Sequence, residues 1–65
     1  MTYAKKYGKY AVMMDGTVYK WFTKEETARQ YWREHFTNPE MVDEWHEEYD
    51  AIELVDKDGS VLEEA

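Results

Sequence analysis

The sequence predicts an α+β fold, β-β-α-(short α)-β-β, with an antiparallel sheet and its helices on one face. Three observations lead there. Two Asp-Gly pairs, Asp15-Gly16 and Asp58-Gly59, sit beside β-branched and aromatic runs, the pattern of hairpin turns. Ala28, Tyr31, Trp32, His35 and Phe36 recur at i, i+3, i+4, i+7 and i+8, one stripe of a helix. Asn38-Pro39 then opens a second, shorter helical pattern.

The elements follow in order. Residues 7–22 read as a hairpin with two possible registers. A two-residue turn pairs Met14 with Thr17 and Tyr10 with Trp21. A three-residue loop with a Gly16 bulge pairs Met13 with Thr17 and Val12 with Val18, and a slip of one residue exchanges the faces. Residues 23–36 read as a helix, with Thr23 and Glu26 in a capping-box pattern. Glu25 stands four residues before Arg29, a favourable order for an ion pair. The second helix runs from about 39 to 48, with Asn38 as N-cap and Pro39 at the first helical position. Residues 50–64 read as a second hairpin around Asp56-Lys57-Asp58-Gly59-Ser60, with glycine at the left-handed position. Its three-residue loop pairs Val55 with Val61 and Leu54 with Leu62. Ile52, Leu54 and Leu62 then share a buried face, and Glu53 and Glu63 share the other.

At 65 residues the chain has room for one domain, residues 1–65. It has no cysteine, which excludes a disulfide scaffold and a thiolate zinc site. Its 43% hydrophobic and 17% aromatic residues are those of a folded chain rather than a disordered acidic one. No apolar run is long enough for a signal peptide or a membrane span, so a cytoplasmic protein without membrane contact is expected, in the host cytoplasm if the gene is a phage's.

Net charge is −7, and it is unevenly placed. Residues 1–39 carry seven bases and four acids, whereas residues 40–65 carry eleven acids and Lys57 alone. Such asymmetry marks interaction surfaces. Overall acidity argues against a protein whose whole surface binds nucleic acid.

Catalytic chemistry has little to draw on. Ser60, the single serine, lies in a turn, and His35 and His46 lie in helical segments. His35 falls on the apolar stripe and reads as structural. His46-Glu47-Glu48 lacks the second histidine of a His-Glu-x-x-His zinc motif. Asp56-Lys57-Asp58-Gly59 resembles the middle of a calcium loop, but the frame would put Leu54 at position one and Ala65 at position twelve. No glycine-rich phosphate loop is present. The chain therefore reads as non-enzymatic, without cofactor or metal. The run from Tyr3 to Tyr10 interleaves lysines with tyrosines, a single-strand-binding pattern, but reads better as an edge strand guarded by lysines.

The second helix carries the functional expectation. At about 100° per residue, Met41, Val42, Trp45 and Tyr49 fall within one arc. Glu40, Asp43, Glu44, Glu47, Glu48 and Asp50 fall outside it, with no lysine or arginine among them. Glu40/Glu44, Asp43/Glu47 and Glu44/Glu48 are like-charge pairs at i, i+4, each costing about 0.2–0.5 kcal/mol. Glu47, Glu48 and Asp50 also crowd the negative end of the helix dipole. The charges recur every ~3 Å along the axis, close to the spacing of phosphates in one DNA strand. Such a face is neutralised across the fold by Lys5, Lys6, Lys9 or Lys20, keeps a small protein soluble, or serves a partner.

A small, cysteine-free, acidic α/β chain with a carboxylate-lined helix resembles in type the phage-encoded inhibitors that imitate DNA, among them several anti-CRISPR proteins. That resemblance rests on the acids of residues 40–64 and implies occupation of a DNA-binding cleft in a host defence complex, such as a CRISPR-Cas effector. The expected partner-binding residues are Glu40, Asp43, Glu44, Glu47, Glu48, Asp50, Glu53, Asp56 and Asp58, facing a basic nucleic-acid-binding protein rather than nucleic acid itself. Two alternatives stand beside it. The chain is expected as a monomer or weak homodimer, and one alternative is a module that self-associates through its basic and acidic halves. The other is a weak single-strand binder using Tyr3, Tyr7 and Tyr10.

Overall fold

The computed structural model describes residues 8–65. Two antiparallel hairpins lie side by side in one four-stranded sheet. β1 (Tyr10–Met14) pairs with β2 (Thr17–Phe22), and β3 (Ile52–Asp56) pairs with β4 (Val61–Glu64). β1 and β3 are also antiparallel neighbours, so the strand order is β2-β1-β3-β4. Between the hairpins the chain forms α1 (Glu25–His35) and α2 (Pro39–His46). The α+β class and the order of elements agree with the expectation.

The first hairpin combines a tight turn with a bulge. Asp15 and Gly16 have φ of 52° and 82°, the paired positive values of a two-residue hairpin turn. Met14 thus faces Thr17. The register then shifts between Val12 and Met13, where Tyr19 is an extra residue on β2. Beyond it Ala11 faces Trp21, and Tyr10 faces Phe22 rather than Trp21. Gly8 follows this strand edge closely: a Cβ there would lie 2.7 Å from the Phe22 carbonyl oxygen.

The second hairpin has the expected turn. Gly59 takes the left-handed conformation at φ 85°, and the Ser60 carbonyl accepts from the Asp56 amide at 3.0 Å. Asp56 Oδ1 accepts from the Asp58 and Ser60 amides at 2.9 and 3.0 Å, an Asx turn that fixes the loop. Val55 pairs with Val61, as expected. A register shift then places Glu63, not Leu62, opposite Leu54, and Glu64 opposite Glu53. Glu63 consequently reaches the helical side instead of sharing Glu53's face.

Helix boundaries follow their caps. Lys24, not Thr23, is the N-cap of α1, and its side chain makes no capping bond, so the Thr23–Glu26 capping box does not form. Glu25 and Glu26 in the first turn, with Arg33 and His35 in the last, still suit the dipole. α2 has the predicted cap: Asn38 Oδ1 accepts from the Glu40 amide at 2.9 Å, with Pro39 following. Its last helical residue is His46, two residues earlier than expected.

Both helices cover one face of the sheet. Val12, Met14, Phe22, Ile52 and Leu54 meet Ala28, Trp32 and Phe36 there, with Tyr10, Tyr31, Trp45, Tyr49 and Leu62 at the margin. Burying a large apolar side chain stabilises by about 1.5–3 kcal/mol, so this cluster dominates the fold. On the opposite face Ala11 and Val55 are buried among Met13, Val18 and Trp21. No helix among the described residues is long and apolar enough to cross a membrane.

Candidate functional site: the carboxylate face of α2

α2 is positioned by its aromatic residues. The Trp45 ring lies 5.4 Å from Phe36, at the end of α1, and 5.5 Å from Tyr19, on the β2 bulge. Tyr49 continues the contact 6.2 Å beyond Trp45. With that arc turned inward, the carboxylates point out. Glu40, Asp43, Glu44, Glu47, Glu48 and Asp50 are all exposed.

Among the described residues none of these six acids pairs with a base. Two of the basic groups are engaged elsewhere. Arg29 holds Glu25 through Nε and Glu63 through Nη1, both at 2.8 Å. The hydrogen bond it donates to Glu25 is the main reason its guanidinium pKa is raised further. Lys20 Nζ stands 5.6 Å from the Tyr31 ring centre and 5.8 Å from that of Phe22, a cation held over aromatic faces. Lys9 lines a cavity of about 230 Å³ with Tyr10, Glu25 and Asp56 at the far end of β3. Lys5 and Lys6 lie outside the described residues.

The remaining predicted site residues do not join this face. Glu53 faces Met13 and alternates with Leu54, so it belongs to the sheet side away from the helices. Asp56 and Asp58 lie at the opposite end of β3 from α2, about 13 Å along a five-residue strand. Asp56 is committed to its own turn.

Two residues that the sequence did not single out border the face. Asp15 reaches the end of α2, where its carboxylate accepts from the amides of Asp50 at 3.0 Å and Ala51 at 2.8 Å. Tyr19 is 46% exposed beside Trp45, two residues after Thr17 on the helical side, and the bulge that follows brings Lys20 to that side as well. The partners of Asp15 have no local signal, since they depend on tertiary pairing, whereas alternation from Thr17 puts Tyr19 on this side.

The histidines have structural partners. His35 is half-buried, stacks 4.1 Å from Tyr31, and its Nδ1 lies 3.0 Å from the Tyr31 carbonyl oxygen. His46 Nδ1 lies 3.0 Å from the Tyr49 carbonyl oxygen at the end of α2. Among the described residues no group of three histidines or carboxylates is arranged to hold a metal ion. No protein-family model, curated protein or solved structure matches the chain.

Proposed function

We propose that this chain is a non-enzymatic interaction protein whose α2 face imitates the charge of a nucleic-acid strand and docks on the basic cleft of a larger protein. The observation that carries the reading is the set of six exposed carboxylates on α2 and its C-terminal turn, unpaired with any base among the described residues. Like-charge repulsion on one short helix opposes folding, and a basic partner would relieve it. A host defence complex such as a CRISPR-Cas effector is the narrower form of the proposal, supported by the resemblance in type stated above.

The alternatives have weaker support. Self-association needs an available basic face, and with Arg29 paired to Glu25 and Glu63 and Lys20 over rings, that face is reduced to scattered exposed bases such as Lys24 and Arg33. Single-strand binding needs accessible tyrosine faces. Tyr10 is half-buried and donates to Glu25 at 3.4 Å, while Tyr3 and Tyr7 lie outside the described residues.

The test is competition with labelled duplex DNA for purified basic DNA-binding proteins, CRISPR-Cas effectors included. The proposal expects displacement that weakens steeply with salt and is lost in the folded Glu44→Lys/Glu47→Lys variant. Undiminished displacement by that variant overturns it.

A further inference from the structure

We propose that α2 is a strap: an element that opens from the sheet on its own while β1, β3 and α1 remain folded. The observations concern how α2 is held, and they are independent of any partner. No residue of α2 is fully buried. The strands beneath differ sharply, with Val12 and Leu54 at 0% exposure and Ile52 at 1%. Regions with few buried apolar contacts open below the global unfolding free energy.

The attachments of α2 are few and identifiable. Trp45 is the side chain that joins it both to Phe36 and to Tyr19. Asp15 clips its exit: the carboxylate holds the Asp50 and Ala51 amides, and the Asp15 amide donates to the Ala51 carbonyl at 2.8 Å. The helix itself has eight residues, too short to persist once undocked. The like-charge i, i+4 pairs of the helix and the turn that follows it, Glu40/Glu44, Asp43/Glu47 and Glu44/Glu48, press toward opening and are screened by salt. Opening lifts Trp45 from Phe36, which is only 3% exposed in the closed form. The strap is thus held shut chiefly by Trp45, with Tyr49 beside it, and by the Asp15 carboxylate, and pushed open by its own charge.

Amide hydrogen exchange followed by NMR on the full chain tests this, comparing α2 with the central strands. Val42 and Tyr49, whose amides bond to the Asn38 and Trp45 carbonyls, report on α2. Val12 and Leu54 report on the sheet. The expected result is exchange at Val42 and Tyr49 about tenfold or more faster than at Val12, with a much smaller denaturant dependence. Raising sodium chloride from low to near-molar concentration should slow α2 about three- to tenfold relative to Val12, as three repulsions are screened. Asp15→Ala should raise the ratio of α2 to Val12 exchange, and Asp15→Asn, which keeps an acceptor oxygen, should largely restore it. Equal protection and equal denaturant dependence at Val42, Tyr49 and Val12 would overturn the proposal, because α2 would then open only with the whole fold. A ratio unmoved by salt and by Asp15→Ala would also overturn it.

Discussion

Asp15 and Ala51 bond to each other in both directions: the Ala51 amide donates to Asp15 Oδ1, and the Asp15 amide donates to the Ala51 carbonyl, each at 2.8 Å. The two residues are 36 apart in sequence, so this pair ties the first hairpin turn to the start of β3. Asp15 also holds φ at 52°, a conformation that alanine adopts poorly. Asp15→Ala should therefore cost about 1.5–3 kcal/mol, combining lost charge-assisted bonds with backbone strain. Asp15→Asn should cost less than about 1 kcal/mol, because asparagine tolerates the left-handed region and retains an acceptor. Urea unfolding of the two variants measures the difference.

Gly8 gives a second prediction, through space rather than torsion. A Cβ placed there meets the Phe22 carbonyl oxygen at 2.7 Å and the carbonyl carbon at 3.2 Å. That oxygen already accepts from the Lys9 amide at 2.9 Å, so it has little freedom to withdraw. Gly8→Ala should destabilise by about 1–3 kcal/mol, the range for overpacking a fitted contact. A thermal melt would show this as a lower Tm, by about 4–8 °C per kcal/mol for a domain of this size.

These two sites show where the sequence is legible. The Asp15-Gly16 turn was readable because only a few residues accept paired positive φ. The Asp15–Ala51 contact was not, because nothing local says which distant amides an exposed carboxylate will meet. The same division runs through the strands. The glycine at 59 marked its loop, yet the shift beside Leu54 that carries Glu63 to Arg29 has no signature in alternating hydrophobicity. Lys20 is the sharpest case: past the bulge at Tyr19 it faces Val12 and stands over the Phe22 and Tyr31 rings, where simple alternation from Thr17 would turn it to the other face. The exposed face of α2 was readable from periodicity, because one aromatic arc fixes which side of a helix turns inward. Charge alone groups Glu53, Asp56 and Asp58 with it, and the sheet separates them.

The tyrosines predict an alkaline limit to stability. Burial, with Glu25 beside it, raises the Tyr10 phenol above the ordinary value of 10.0. Burial again, with Tyr19 beside it, raises Tyr31. A raised phenol favours the neutral form in the folded state. Its contribution is present below the unfolded value of about 10 and is lost as pH rises through the folded value. Stability should fall above about pH 10, and tyrosinate absorbance at these two residues should appear later than in the unfolded chain. Tyr10→Phe and Tyr31→Phe should each reduce the alkaline loss when urea midpoints are compared from pH 8 to 11. An unchanged slope in the double variant would remove these residues as its source.

The acids of α2 predict opposite effects of one substitution on folding and on binding. Glu44 repels Glu40 and Glu48, and Glu47 repels Asp43, across single turns of an exposed helix. Glu44→Lys/Glu47→Lys turns all three pairs attractive and brings cations toward the helix C-terminus, where the dipole favours them. Each reversed pair is worth about 0.4–1 kcal/mol, so the variant should be more stable by about 1–3 kcal/mol at low salt. The gain should shrink at high salt, as exposed charges are screened beyond about 8 Å at physiological ionic strength. If the face serves a basic partner, the same variant should lose binding while gaining stability. That combination separates a functional surface from a structural one: a face needed for folding would lose stability on reversal, and a merely solubilising face would leave binding unchanged. Urea unfolding at low and high salt, run beside the DNA-competition assay on one preparation, reads both quantities. A variant that is destabilised, or that still displaces DNA as well as the parent chain, would count against the proposed role of α2.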